Sequence, residues 1–349
     1  MGHRKKSAPR RGSLAVRPRK RAEGILGRVR SWPTVSHEKI FPVGFLGYKV
    51  GMTHSMIIDD RRTSLTYGKQ IFMPVTILET PPMILAGFRA YEFDTNHGKQ
   101  PFTDVWADSS VLSSANIERL IKRFNPGKES SSKKLEEIES SLERIVELRA
   151  LMLSQPMLAG GISKKKPELI EVALSGTDIK KQLEFATSSL GRKFTVSEIF
   201  SNGSFVDVIG ITKGKGFQGP VKRFGIKVLP RWHKHRKAAR KIGARGPGFG
   251  SVSTAPQAGQ MGFHQRVDYN KRIIYIGDVS KHGEELLKKF NVPGGWHKYG
   301  LIKSDFVILA GSVPGPRKRP IILRYPIRPA PFVPEGAPRI TYIHGIGEI

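Results

Sequence analysis

From Val208 through Val267 the chain carries thirteen Lys and Arg and no Asp or Glu. Uncompensated like charges over such a length repel one another unless phosphates or dense counterions neutralise them, so the chemistry on offer is polyanion binding. The stretch contains the glycine-punctuated run Thr212-Lys-Gly-Lys-Gly-Phe-Gln-Gly219, then Val221-Lys-Arg-Phe-Gly225. Its glycines let backbone approach backbone, while Lys213, Lys215, Lys222 and Arg223 are placed to meet phosphates. Phe217 and Phe224 either stack on bases or pack on the protein, and residue type leaves both uses open. Further on, Arg231, Lys234, Arg236, Lys237, Arg240 and Lys241 alternate with the rings of Trp232, His233 and His235. Arginine suits bidentate phosphate contact and stacking, whereas lysine supplies point charge. The run Gly243-Ala-Arg-Gly-Pro-Gly-Phe-Gly250, with Arg245, Gly246 and Pro247 at its centre, is expected to form an irregular extended tip.

Other chemistries fit less well. Gly214-Lys-Gly-Phe-Gln-Gly219 matches G-x-G-x-x-G, but a dinucleotide loop opens a helix, and Pro220 with the following residues shows no helical apolar periodicity. The Walker A spacing fails because Lys215 stands where glycine is needed. Asp207, Asp268 and Asp278 come without a nucleophile motif and are expected to be turn or cap carboxylates. The chain has no cysteine, which excludes disulfides, thiolate nucleophiles and zinc-finger sites. Its ten histidines include no H-E-x-x-H pair, so neither metal nor cofactor is expected. No window approaches about 18 uninterrupted apolar residues, Lys6 breaks the myristoylation pattern, and no apolar run follows Met1-Gly-His-Arg-Lys-Lys; neither membrane attachment nor secretion is expected. The charge alone also fits a chromatin-like general nucleic-acid-binding protein, with a nucleotide-using enzyme as the remaining alternative.

The elements that must position these cations follow from how charge and apolar residues are distributed. Net charge is +30, yet residues 92 to 199 hold sixteen residues of each sign, while residues 1 to 30 hold eleven cations against Glu23 alone. The basic N-terminal extension, taken as 1 to 40, includes Arg4, Lys5, Arg10, Arg11, Arg19, Lys20 and Arg21. It cannot bury enough apolar area to fold alone, and reads either as a solvated or targeting tail or as one that orders on RNA. Strands are expected at Val43 to Tyr48, Ser55 to Ile58, Ile71 to Leu78, Phe205 to Ile209, Arg272 to Ile276, Phe306 to Leu309 and Ile321 to Tyr325. Helices are expected around Ile117 to Phe124, over Lys133 to Leu153, and over Thr177 to Leu190 with Thr177 as N-cap. The fold class is mainly β with an α+β insertion: a closed β-barrel body (41 to 91, 200 to 212 and 263 to 349), a helical insertion (92 to 199) and a long extended basic loop (213 to 262).

At this level of detail the sequence resembles the universal large-subunit ribosomal protein three family, archaeal and eukaryotic branch. The resemblance rests on Thr212 to Gly219 with Val221 to Gly225, on His3-Arg-Lys5 with Pro18-Arg-Lys-Arg-Ala22, and on Gly44-Phe-Leu-Gly-Tyr-Lys-Val-Gly-Met-Thr-His54. It extends to Gly259-Gln-Met-Gly-Phe-His264 with Asn270-Lys271, and to Gly311-Ser-Val-Pro-Gly-Pro-Arg-Lys-Arg319. It implies a non-enzymatic, cytoplasmic constituent of the large subunit that binds its rRNA early in assembly and reaches toward the peptidyl transferase centre through the loop tip at Gly243, Arg245, Gly246 and Pro247. Arg266, Arg317, Lys318 and Arg319 join the expected rRNA contacts, and neighbouring large-subunit proteins join the expected partners. No small-molecule substrate, membrane or stable homo-oligomer is implied. Members of this branch carry Trp where this chain has Arg245, and His233 stands where eukaryotic members carry a His that can be methylated.

Overall fold

The computed structural model describes residues 12–13, 15–121, 128–230, 232, 236–237, 239–242, 255–331, 334, 336–344 and 347–348. In chain order the elements are β1 (Gly44–Ile58), β2 (Gln70–Glu79), β3 (Met83–Asp94), β4 (Gly98–Trp106), α1 (Ser109–Ser114), α2 (Lys128–Ser140), β5 (Ile145–Leu153), β6 (Leu169–Ala173), α3 (Ile179–Ser188), β7 (Lys193–Phe194), α4 (Val196–Ile199) and β8 (Phe205–Ile211). They continue with β9 (Phe217–Gln218), α5 (Pro220–Phe224), β10 (Gly259–Gln260), β11 (Gln265–Gly277), α6 (Val279–Phe290), β12 (Phe306–Ala310), β13 (Pro320–Arg324), β14 (Ile340–Ile343) and β15 (Gly347–Glu348). The chain divides into two compact units, residues 1–25 with 211–266 and residues 26–210 with 267–349.

The larger unit is built on two sheets. In the first, strands pair in the order β13-β8-β11-β12-β2-β1-β14-β15, and β1 pairs also with β13, so the pairings return on themselves through six strands. Its strands are long apolar runs: Phe45, Leu46, Val75, Ile77, Val206, Val208, Ile322 and Leu323 are all buried, and burial on this scale drives the pairing. Two buried carboxylates are tied into the sheet by several donors each. Asp207, fully buried, accepts from Arg324 Nη2 (2.7 Å) and from the Asn270 and Ile327 amides (both 3.1 Å). Glu79 accepts from the Tyr299 hydroxyl and from the Lys303 and Ser304 amides (2.8 and 3.0 Å). The second sheet runs β4-β3-β5-β6, with β7 on β3, and packs α2 and α3. The expected boundary between residues 91 and 92 lies inside β3.

The mainly β class holds, and several elements differ from expectation. Two expected strands, Val43 to Tyr48 and Ser55 to Ile58, fall on one continuous β1, because β1 has partners along its length: β13 from Gly44 to Tyr48, β2 from Tyr48 to Ile58, and β14 from Ser55 to Ile57. The expected helix Lys133 to Leu153 stops at Ser140, and Ile145 onward is the strand β5. Leu148, Ala150 and Met152 alternate into the core there, and β5 lies between β3 and β6, so a two-sided ladder outweighs helical propensity. Within the described part of the expected helix around Ile117 to Phe124, the chain forms a 3-10 turn at Ile117–Arg119, following Asn116 in the left-handed region (φ 58°); residues 122–124 lie outside the described residues. Helix α3 is capped by Asp178 rather than Thr177, the Asp178 carboxylate accepting from the Lys180 amide (3.0 Å).

Candidate nucleic-acid interface

The smaller unit holds the acid-free stretch, and its base is zipped rather than extended. Thr212 donates to the His264 carbonyl (2.9 Å), Lys215 to that of Met261 (3.0 Å) and Met261 to that of Gly216 (2.9 Å), and β9 pairs antiparallel with β10. Gly262 is required there: its φ is +70°, and a Cβ would stand 2.1 Å from the Lys213 oxygen. A helix does follow the glycine run, against expectation. Pro220 supplies the fixed φ of a first turn and Gly225, left-handed at φ 65°, stops α5 after five residues. A helix that short, reached through β9 rather than directly from a glycine loop, still lacks the strand–loop–helix geometry of a dinucleotide site.

The N-terminal segment packs on this ladder. Ala22 donates to the Phe263 carbonyl (2.8 Å), and Arg266 Nη2 donates to the carbonyls of Pro18 (3.0 Å) and Val16 (3.3 Å). His264 Nδ1–H donates to the Lys20 carbonyl (2.7 Å). Arg19 donates to the Arg223 carbonyl, and its guanidinium lies 4.1 Å from the Phe224 ring centre. Arg223 in turn donates to the carbonyls of Gln260 (2.9 Å) and Gln257 (3.1 Å). Phe224 is thus a packing residue, 9% exposed under two guanidinium groups, whereas Phe217 is 77% exposed. The two rings left open by residue type therefore differ in burial: Phe224 packs on the protein and Phe217 faces outward.

These side chains enclose a cleft of about 450 Å³, lined by Arg19, Lys213, Lys215, Arg223, His264 and Arg266 among others. Their hydrogen bonds go to backbone carbonyls, which orient the guanidinium groups without cancelling their charge. Burial, and then the neighbouring cations Arg223 and Arg17, lower the Arg19 pKa; burial and Arg17 lower that of Arg223, and burial and Arg19 that of Arg266. Arginine keeps its proton regardless, so the cleft is a standing concentration of positive charge that an anion would relieve. His264 is held below the ordinary imidazole value, first by burial and then by Arg266, Arg223 and Arg19, against the pull of the Lys20 carbonyl.

Five expected residues, Arg19, Lys213, Lys215, Arg223 and Arg266, therefore meet at one cleft. Lys20, Arg21, Lys222, Arg236, Lys237, Arg240 and Lys241 are exposed elsewhere on the same unit, as is Trp232 at 74%. Arg4, Lys5, Arg10, Arg11, Arg231, His233, Lys234, His235 and the tip residues Gly243, Arg245, Gly246 and Pro247 lie outside the described residues. Arg317 and Lys318 are exposed on the larger unit, on a turn where the Lys318 amide donates to the Lys49 carbonyl (2.7 Å). Arg319 is half-buried there, and burial lowers its pKa. His264 escaped the residue-by-residue reading because a lone histidine carries no signal; its place inside an acid-free glycine-rich run was the available clue.

The carboxylates near the basic stretch are structural. Asp278 caps α6 by accepting from the Ser280 amide (3.0 Å), Asp268 pairs with Lys271 (3.3 Å), and Asp207 is a buried ion-pair partner rather than a turn or cap residue. A larger groove on the second unit, about 830 Å³, is lined by Arg28, Arg30, Arg89, Lys99 and Arg149. Three of these cations are already paired: Arg89 with Asp104 and Glu171 (both 2.6 Å), Arg149 with Glu147 (2.9 Å), and Lys99 with Glu147. Among the described residues, no group of three or more His, Asp or Glu is placed to hold a metal ion, and no helix is long and apolar enough to cross a membrane.

The model of the ribosomal protein L3 family matches residues 1–334. The large ribosomal subunit protein uL3 of Sulfurisphaera tokodaii is 48% identical over 345 residues, covering 99% of this chain and 98% of the relative. Proteins of the same name from Aeropyrum pernix, 47% identical over 98% of each chain, and Sulfolobus acidocaldarius, 46% identical over 99% of this chain and 98% of the relative, are similar along their whole length.

Proposed function

The chain belongs to the ribosomal protein L3 family, and from that premise we infer that it is a structural, non-enzymatic constituent of the large ribosomal subunit, acting in translation in the cytoplasm. Its partners are large-subunit rRNA and neighbouring ribosomal proteins. The observation that carries the RNA assignment is the cleft of Arg19, Lys213, Lys215, Arg223 and Arg266, whose three guanidinium groups are oriented by backbone carbonyls and which has no carboxylate among its lining residues. Phosphates of folded rRNA neutralise this cleft, and the exposed Phe217 and Trp232 offer ring faces to unpaired bases. The ring of pairings through β13, β8, β11, β12, β2 and β1 supports a closed barrel as the body. Family resemblance supports the remaining roles: early subunit assembly, and a loop tip at Gly243, Arg245, Gly246 and Pro247 near the peptidyl transferase centre.

Replacing Lys213, Lys215, Lys222 and Arg223 together with Ala tests the assignment. Affinity for large-subunit rRNA should fall, and the slope of log affinity against log salt should flatten by roughly 0.7–0.9 for each phosphate that the protein ceases to neutralise. An unchanged slope, or equal wild-type affinity for duplex DNA at the same salt, would overturn it.

A further inference from the structure

The hairpin of β1 and β2 carries a surface of a different kind. Residues 55, 57, 71 and 73 face the core beside Ile343, so the alternate positions Met52, His54, Met56 and Phe72 face outward, continued by Tyr342 and His344. None of these six is Lys or Arg, in a chain whose net charge is +30. Phe72 is 64% exposed, and Met52 and Met56 are exposed beside it. The rings are stacked on one another: His54 lies 4.9 Å from Phe72 and 4.5 Å from His344, at interplanar angles of 28° and 21°. His54, stacked between Phe72 and His344, has no ring face left for a base, and a face without cations has nothing to hold phosphates.

The same hairpin leaves a strand edge open. Strand β12 pairs with β2 only from Val75 to Glu79, and the pairing ends where the Gly311 amide donates to the Pro74 carbonyl (2.7 Å). Among the described residues, 70–73 pair with β1 on one side and with no strand on the other. Methionine and aromatic enrichment with charge depletion is the composition of a protein–protein contact, and an open edge accepts a partner's backbone.

We propose that this face, centred on Phe72, is a docking surface for another protein of the large subunit, one that lays apolar side chains over Met52, Met56 and Phe72 and adds an extended segment to the free edge at residues 70–73. The proposal goes beyond RNA binding and rests on the large-subunit assignment for its partner and for the complex in which it is tested. Photoreactive side chains placed singly at Phe72 and, as a separate probe, at Lys215 are assembled into large subunits in the full chain. The Phe72 probe should give a crosslink to one stoichiometric subunit protein. Crosslinking to rRNA, to a second copy of this chain, or to nothing overturns the proposal. The Lys215 probe reports on the RNA cleft by itself, so failure of the two readings is distinguishable. A third probe at Met52 should lose its protein crosslink at least tenfold on Phe72→Lys and keep it on Phe72→Leu; equal crosslinking in both variants also overturns the proposal.

Discussion

His264 shows how a single residue acquires a role from its surroundings. Burial and three nearby guanidinium groups hold its pKa below 6.5, so the folded smaller unit keeps the ring neutral at a pH where the unfolded chain has begun to protonate it. The unfolded state then binds more protons, and the sign follows: this contribution is complete above about pH 6.5 and is lost as pH falls toward the folded value. NMR titration of the RNA-free chain should place the His264 midpoint below 6.5, and a bound polyphosphate should move it upward by favouring the imidazolium. A midpoint at or above 6.5 in the free chain would contradict this account. Much of the cleft was legible at this scale, because Lys213, Lys215 and Arg223 are marked by the absence of any acid. The different burial of Phe217 and Phe224 was not, since one ring is covered by Arg19, some two hundred positions away.

At the scale of elements, strands with local apolar runs were readable, and elements decided by distant partners were not. β5 reads as a continuation of the Leu135, Ile138, Leu142 and Ile145 stripe until β3 and β6 are known to flank it. The tie between β8 and β13 is equally non-local: Asp207 and Arg324 are a buried pair whose partner is invisible in either segment alone. Asp207→Ala would strand Arg324 and leave the Asn270 and Ile327 amides without their acceptor. Denaturant unfolding should show a loss of about 3–5 kcal/mol, with a smaller loss for Asp207→Asn, and the salt slope of RNA binding should be unchanged. On the smaller unit, Gly262→Ala places a Cβ against the Lys213 carbonyl at a left-handed φ, so the ladder must open. Hydrogen exchange at the Lys215 and Met261 amides should accelerate; unaltered protection would show that the ladder does not depend on Gly262.

Across the whole molecule, charge and packing are divided between the two units. Residues 1–25 and 211–266 carry twenty-two Lys and Arg against Glu23 alone, so this unit supplies +21 of the net +30. The buried apolar clusters lie in the other unit, which must bear most of the hydrophobic stabilisation. Self-repulsion therefore opposes folding of the smaller unit far more than of the larger, and it acts over distances that salt screens. The RNA-free chain should unfold in two stages on heating at about 50 mM salt. The first stage should be the smaller unit, and it should move to higher temperature when salt is raised or a polyanion is added, while the second stage stays nearly fixed. Residue-resolved hydrogen exchange during the melt assigns each stage: protection at the amides of Thr212, Lys215 and Met261 should disappear in the first, and at those of β1 and β13 in the second. A single transition that salt leaves in place would mean that packing, not phosphate, balances the charge of the smaller unit, and the cleft would then need no RNA to hold it together.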